Sequence, residues 1–151
     1  MKKIGKISRF LEITMIALMV ISGIMTVTLP WSIPFITGRD AGEPENYYWK
    51  YLIVLTYSGI IAEFILWHTR GIIHNVVTRN PFCHDTVRRL RVVGSGCLLI
   101  SVSYAFAVFF VSKVFMVVVL AAFMVMGLFL LVFSELFRQA VAYKEENDMT
   151  I

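Results

Sequence analysis

Residues 114–137 read VFMVVVLAAFMVMGLFLLVFSELF, and this long apolar stretch is the strongest indication of the fold class. Its only ionisable side chain is Glu135. A helix that crosses the hydrocarbon of a bilayer, about 30 Å thick, needs about 20 apolar residues at about 1.5 Å of rise per residue. Membrane-spanning β-strands would alternate in polarity over about ten residues, and this stretch does not alternate. The stretch therefore predicts a transmembrane helix.

Three similar apolar runs precede this stretch, at about residues 11–29, 51–73 and 92–112. Across the whole chain 58% of the residues are hydrophobic and 16% are charged. Soluble domains average about 45–50% apolar and about 25% charged residues. The composition excludes a disordered chain, a disulfide-stapled secreted domain and a conventional soluble enzyme. We therefore predict an all-α integral membrane protein, a single domain over residues 1–151 with four transmembrane helices.

The first run follows a lysine-rich start and resembles a secretory signal in that respect. It is too long for the apolar region of a signal peptide, and no pair of small residues marks a cleavage site after it. We expect a retained helix that ends near residue 29, because Pro30 and Pro34 would interrupt it. Trp31 would then lie at the membrane interface.

Lysine and arginine residues are unevenly distributed between the segments that connect the runs. They are frequent before the first run, in the loop at about residues 74–91 and in the tail at about residues 138–151, and rare on the other side. Segments rich in these residues stay in the cytoplasm. We therefore expect a multi-pass protein of the cytoplasmic (inner) membrane with both termini in the cytoplasm. The net charge of +4 reflects this bias, and we expect no direct binding to nucleic acid.

The basic loop contains the predicted start of a further helical segment. Asn80 is a suitable N-cap, and Pro81 suits the first helical position. From Phe82 onward a basic helix would then run directly into the third span. Its arginines would meet the anionic lipids of the inner leaflet, each attracted by about 1 kcal/mol; they are Arg88, Arg89 and Arg91. The alternative is that this helix docks a protein partner.

Two motifs resemble those of a known family. The first is Asn80-Pro81-Phe82 followed by Val87-Arg88-Arg89-Leu90-Arg91 and Gly94. The second is the ending Lys144-Glu145-Glu146-Asn147-Asp148-Met149-Thr150-Ile151. In this order and with four apolar runs, they resemble the bacterial domain of unknown function 2975 family. The resemblance implies a small four-helix membrane protein, often encoded beside a small helix-turn-helix regulator, with no established activity and no catalytic residues.

Glu63 lies near the middle of the second run, close to the predicted midplane of the bilayer. A charged group there costs at least about 2.5–3.5 kcal/mol, so the neutral, protonated form is favoured. We expect protonated Glu63 to hydrogen-bond to a polar side chain at the same depth on another helix. The candidates are Ser22 and Thr26 in the first run and Ser101, Ser103 and Tyr104 in the third. The alternatives are a ligand or proton site and a contact with a second copy of the chain.

Catalytic and metal-binding patterns are absent from the sequence. No HExxH, P-loop or GxSxG motif occurs, and no nucleophile, base and orienting group stand in a recognisable pattern. Cys83 and Cys97 lack the spacing of metal ligands. We therefore expect no enzymatic activity, no cofactor and no metal.

The predicted function is that of a non-enzymatic sensor or regulatory partner, which presents its cytoplasmic segments to a small helix-turn-helix transcriptional regulator. We expect the fourth helix to continue beyond the membrane to Glu146, to stop at Asn147 and to bring the tail into weak contact with the basic loop. A stripe of small residues on the third run also allows a homodimer. The alternative function is a proton-coupled exporter of small hydrophobic compounds in which Glu63 binds the proton.

Overall fold

The structure is a computed structural model, and it describes residues 2–36, 46–77, 82–110 and 114–149. These residues form four α-helices: α1 (Lys2–Ile36), α2 (Asn46–Val77), α3 (His84–Phe110) and α4 (Val114–Met149). Each helix contains a segment long and apolar enough to cross a membrane; the segments are Phe10–Pro34, Tyr48–Val77, His84–Phe110 and Val114–Asn147. The predicted all-α architecture with four candidate spans is confirmed.

The helices pack in chain order, α1 against α2, α2 against α3 and α3 against α4. In the described part of the chain, no other pair of helices brings Cα atoms within 8 Å of each other. Short connections make consecutive helices antiparallel neighbours. One end of the bundle therefore carries the beginnings of α1 and α3 and the ends of α2 and α4. We term it the basic end; it comprises residues 2–12, 70–77, 82–91 and 135–149.

Two glycines bring α3 and α4 close together. A Cβ atom added to Gly94 would lie 3.2 Å from the carbonyl oxygen of Gly127, and one added to Gly127 would lie 3.0 Å from that of Gly94. Across the same interface, Ser101 Oγ donates a hydrogen bond to the Leu120 carbonyl oxygen at 3.1 Å. Close approach through small residues is the usual way in which helices pack in membranes, where lipid is as apolar as the side chains.

Helix α1 does not end near residue 29, so that expectation is wrong: the helix continues through Pro30 and Pro34 to Ile36. Proline has no N–H group, so Pro34 leaves the Pro30 carbonyl oxygen without its intrahelical donor. The hydroxyl of Tyr48 on α2 donates a hydrogen bond to that oxygen at 3.1 Å. A neighbouring helix thus satisfies the freed carbonyl, which is how membrane helices tolerate proline.

Helix α3 begins later than the expected position in the basic loop. Its first described backbone bond runs from the Val87 N–H group to the Cys83 carbonyl oxygen at 3.3 Å, and the helix starts at His84. Phe82 therefore precedes the helix, whereas we expected it within the first turn. The predicted cap and first position, Asn80-Pro81, lie outside the described residues.

Helix α4 continues beyond the predicted span at residues 114–137 and ends at Met149. The prediction of a continuous helix through Glu146 is confirmed, whereas the predicted stop at Asn147 is wrong by one helical half-turn. No glycine or proline lies between residues 137 and 149 to interrupt the helix. Hydropathy marks the part of a helix that suits hydrocarbon, and the whole helix is longer than that part because polar turns extend it.

Candidate functional site

A polar cluster joins the end of α2 to the beginning of α3. Asp85 Oδ2 accepts hydrogen bonds from Arg89 Nε at 2.6 Å and from Asn75 Nδ2 at 2.9 Å. Asn75 Nδ2 also lies 3.2 Å from the hydroxyl oxygen of Thr86, a residue that is only 1% exposed. The sulfur of Cys83 lies 3.1 Å from the same hydroxyl oxygen. Asn75 therefore stabilises the first turn of α3 against α2 through its two bonds, to Asp85 and to Thr86.

Arg89 lies across α2, in the space that Gly71 leaves open. A Cβ atom added to Gly71 would overlap the guanidinium group of Arg89. The Arg89 side chain is 30% exposed and paired with Asp85, whereas Arg88 and Arg91 are exposed. The three arginines were expected to act together as one lipid-facing or partner-facing cluster. Instead Arg89 links α3 to α2, whereas Arg88 and Arg91 remain on the exposed surface.

The end of α4 contacts the beginning of α3. His84 Nε2 lies 2.9 Å from Glu145 Oε1, and the rings of Phe82 and Phe137 stack with centroids 5.7 Å apart. The tail therefore contacts the loop, and Glu145 does so through a histidine. Since α4 runs antiparallel to α3, Glu145 lies level with His84, which precedes Arg88 by one helical turn.

The rest of the tail motif is exposed or lies outside the described residues. Glu146 and Asn147 are exposed on α4. The side chain of Asp148, together with Thr150 and Ile151, falls outside the part that the structure describes. The tail helix thus presents an exposed polar surface at the basic end.

A histidine–carboxylate pair that was not predicted from the sequence joins α1 to α2. His74 Nδ1 lies 3.3 Å from Glu12 Oε1. Each residue is an isolated polar side chain at the edge of an apolar run, and only antiparallel packing brings the two to the same depth. Every pair of neighbouring helices therefore has a polar link at the basic end, through Glu12, Asp85 or Glu145.

Glu63 faces α1 and not the third span. Its Oε1 atom is buried, has no hydrogen-bond partner among the described residues, and lies 3.7 Å from the position of a Cβ atom added to Gly23. Ser101 Oγ and Ser103 Oγ donate instead to backbone carbonyl oxygens on α4 and α3. The expected bond from Glu63 to these serines is therefore wrong, and among the described residues Ser22 and Thr26 on α1 form no bond to Glu63 Oε1 either. Tyr104 is buried in the core, and within the described chain it forms no bond to Glu63 either.

A groove of about 560 Å³ lies between α1 and the other three helices. Most of its lining is apolar, and residues of all four helices contribute to it. The hydroxyls of Thr26 and Ser58 line it while donating to carbonyl oxygens of their own helices at 3.0 Å. Gly59 and Leu66 also line it and lie within about one helical turn of Glu63. The groove and the buried carboxyl are therefore adjacent.

Metal ligands do not cluster in the described residues. Within them, no group of three or more histidine, cysteine, aspartate or glutamate side chains is placed to hold a metal ion. Cys83 and Cys97 are both free thiols. The expectation that the chain uses no metal or cofactor stays a prediction.

Comparison with known proteins identifies one family. The family model described as protein of unknown function (DUF2975) matches residues 37–151. The match covers α2, α3 and α4, starts after α1 and includes both motifs on which the resemblance was based. No curated protein and no solved structure matches the chain.

The variant Asn75→Ala should loosen the junction between α2 and α3, because it removes the bonds to Asp85 and to the buried hydroxyl of Thr86. The loss of a buried hydrogen bond costs about 1–3 kcal/mol, and about 1 kcal/mol shifts the Tm of a chain of this size by about 2–4 °C. We expect the Tm of the detergent-solubilised protein, followed by circular dichroism, to fall by about 2–12 °C. The matched control is Val76→Ala, because Val76 is 52% exposed. Equal losses in the two variants would contradict the role assigned to Asn75.

Proposed function

We propose that this chain, which belongs to the DUF2975 family of proteins of unknown function, is a non-enzymatic membrane protein that presents a cytoplasmic surface to a soluble regulator. We term this surface the docking platform and define it as the exposed side chains of residues 84–91 and 138–149. The partner class follows from the family resemblance, which implies a small helix-turn-helix regulator encoded nearby. Holding such a regulator at the membrane would keep it away from DNA.

The observation that carries the proposal is the ordered, exposed end of α4. Tyr143 is 70% exposed, and the polar residues 144–147 that follow it are exposed as well. Aromatic and arginine side chains supply much of the binding energy at protein interfaces. The contacts with His84 and Phe82 hold this segment against α3. A partner that binds a segment already held in place loses less free energy to ordering it.

The charge distribution supports a cytoplasmic position for the docking platform. Lysine and arginine are concentrated at the basic end, and such segments remain on the cytoplasmic side of the inner membrane. Arg88 and Arg91 are exposed there. Anionic lipids of the inner leaflet attract each of them by about 1 kcal/mol, which holds the platform close to the membrane surface.

A second candidate function is proton-coupled export of small hydrophobic compounds. The observation that favours it is Glu63, whose buried Oε1 atom has no partner among the described residues and lies beside the groove. Ionisable groups inside the membrane commonly mark proton pathways. In this function a proton would bind and leave Glu63 during each transport cycle.

The docking platform is tested by direct binding. The full chain in nanodiscs should bind the purified helix-turn-helix regulator encoded beside it, measured by biolayer interferometry at fixed salt. Tyr143→Ala should weaken binding by about tenfold or more, because loss of an aromatic anchor costs about 2 kcal/mol. Val125→Ala is the matched control, since Val125 is also exposed on α4 but lies in its apolar segment. Absent binding, or binding unchanged by Tyr143→Ala, would contradict the proposal.

Export is tested in liposomes that contain the full chain. An applied proton gradient should drive a hydrophobic dye against its own concentration gradient, and Glu63→Gln should abolish this transport because the amide binds no proton. Ser103→Ala should preserve transport, because the Ser103 hydroxyl donates its hydrogen bond to a carbonyl oxygen of its own helix, α3. Transport that is absent from the wild type or persists in Glu63→Gln overturns the second candidate.

A further inference from the structure

The intramembrane groove has the size and composition of a ligand site. Its volume of about 560 Å³ falls within the range of about 300–1,000 Å³ found for small-molecule pockets, which are mostly apolar with a few polar groups. Within the described residues, α2 is the one helix whose Cα atoms come within 8 Å of those of α1. The space between α1 and the side chains of Ile100 and Phe123 therefore stays open.

The polar groups of this region are placed on two neighbouring helices. Ser22 on α1 and Ser58 on α2 line the groove, and Ser58 donates its own hydrogen to a carbonyl oxygen at 3.0 Å. Its hydroxyl oxygen keeps a lone pair that can accept a hydrogen bond. Glu63 lies one turn further along α2 and adds an acceptor that is far stronger when ionised.

Glu63 Oε1 is the one buried side-chain acceptor of the described spans that lacks any partner and lies next to this space. A buried polar atom without a partner costs about 1–3 kcal/mol. The carboxyl rests against Gly23. Gly59 and Leu66, one turn before and after Glu63 on α2, line the groove, so a rotation of the Glu63 side chain would turn the carboxyl toward the groove. A ligand that donates a hydrogen bond to this carboxyl recovers the lost free energy.

We propose that the groove binds an amphipathic amine, a molecule whose apolar chain lies against the groove walls and whose ammonium group pairs with the Glu63 carboxylate. Apolar walls alone would accept any lipid chain. The carboxylate distinguishes a cationic head from a neutral or anionic one, because only the cation adds the attraction of opposite charges to the hydrogen bond. Ser22 and Ser58 accept the remaining ammonium hydrogens.

This inference goes beyond the docking platform and names a ligand class for a different part of the molecule. It holds whether the bound amine is sensed or transported. The experiment therefore measures equilibrium binding to the isolated chain, without a regulator and without a proton gradient. A failure of partner binding or of transport leaves its outcome unchanged.

The probe is dodecylamine carrying a photoreactive diazirine. It is added to the full chain in nanodiscs of phosphatidylcholine, a lipid without net charge. Unlabelled dodecylamine, dodecanol and dodecanoic acid, which share one chain length, serve as competitors. Mass spectrometry of the cross-linked peptides should place the label on residues 18–32 of α1 and 55–66 of α2. Dodecylamine should compete at a concentration about tenfold or more below that of either other compound, since a charge-assisted bond is worth at least a factor of ten.

Three variants separate the carboxylate from the groove. Glu63→Gln, which is nearly isosteric, should remove the preference for the amine and leave dodecanol competition unchanged. Ala62→Phe, which fills the groove, should reduce labelling of both segments by about tenfold or more. The control variant Ala121→Phe, on the exposed face of α4, should be labelled by the probe to the same extent as the wild type. Equal competition by the three compounds, an amine preference that survives in Glu63→Gln, or labelling unaffected by Ala62→Phe would overturn the proposal.

Discussion

Hydrocarbon offers no hydrogen-bond partner, so every polar group of a membrane-spanning chain must be satisfied by the protein itself. Four long helices meet this demand for the backbone, and the hydroxyls of Thr26, Ser58 and Ser103 meet it by donating to their own helices. Where Pro34 removes a donor, Tyr48 supplies one from α2. In the described part of the chain, the buried Oε1 atom of Glu63 does not meet this demand, because it has no hydrogen-bond partner.

Because of the same constraint, the contacts between helices differ with depth in the membrane. Within the apolar segments, α3 and α4 are joined by close packing at Gly94 and Gly127. At the basic end, where water and headgroups are available, each pair of neighbouring helices is joined by polar side chains. Among the described helices, the backbone of α1 lies close to that of α2 alone, and a groove remains between α1 and the other helices. The architecture therefore separates a polar surface at one end from an open space within the membrane.

Hydropathy predicted the number and order of the helices because a span needs about 20 apolar residues, whatever their sequence. Hydropathy could not predict which neighbouring helix Glu63 faces. All faces of α2 are apolar, so no hydrophobic periodicity determines how the helix is rotated about its axis. The carbonyl oxygen that Pro34 leaves without a donor in α1 is satisfied by Tyr48, a residue distant in sequence. Arg89 was grouped with its neighbours by composition, whereas the space beside Gly71 exists only after α2 and α3 have packed.

Site-specific labelling determines whether the basic end of the four-span chain lies in the cytoplasm. Single cysteines are introduced at Gly42 and at Tyr143 in a background in which Cys83 and Cys97 are replaced by alanine. Tyr143 is 70% exposed on α4, so its replacement is reachable from the compartment that it faces. A membrane-impermeant maleimide should label Gly42→Cys in intact cells and Tyr143→Cys only after the membrane is permeabilised. Labelling of Tyr143→Cys in intact cells would contradict a cytoplasmic position of the basic end.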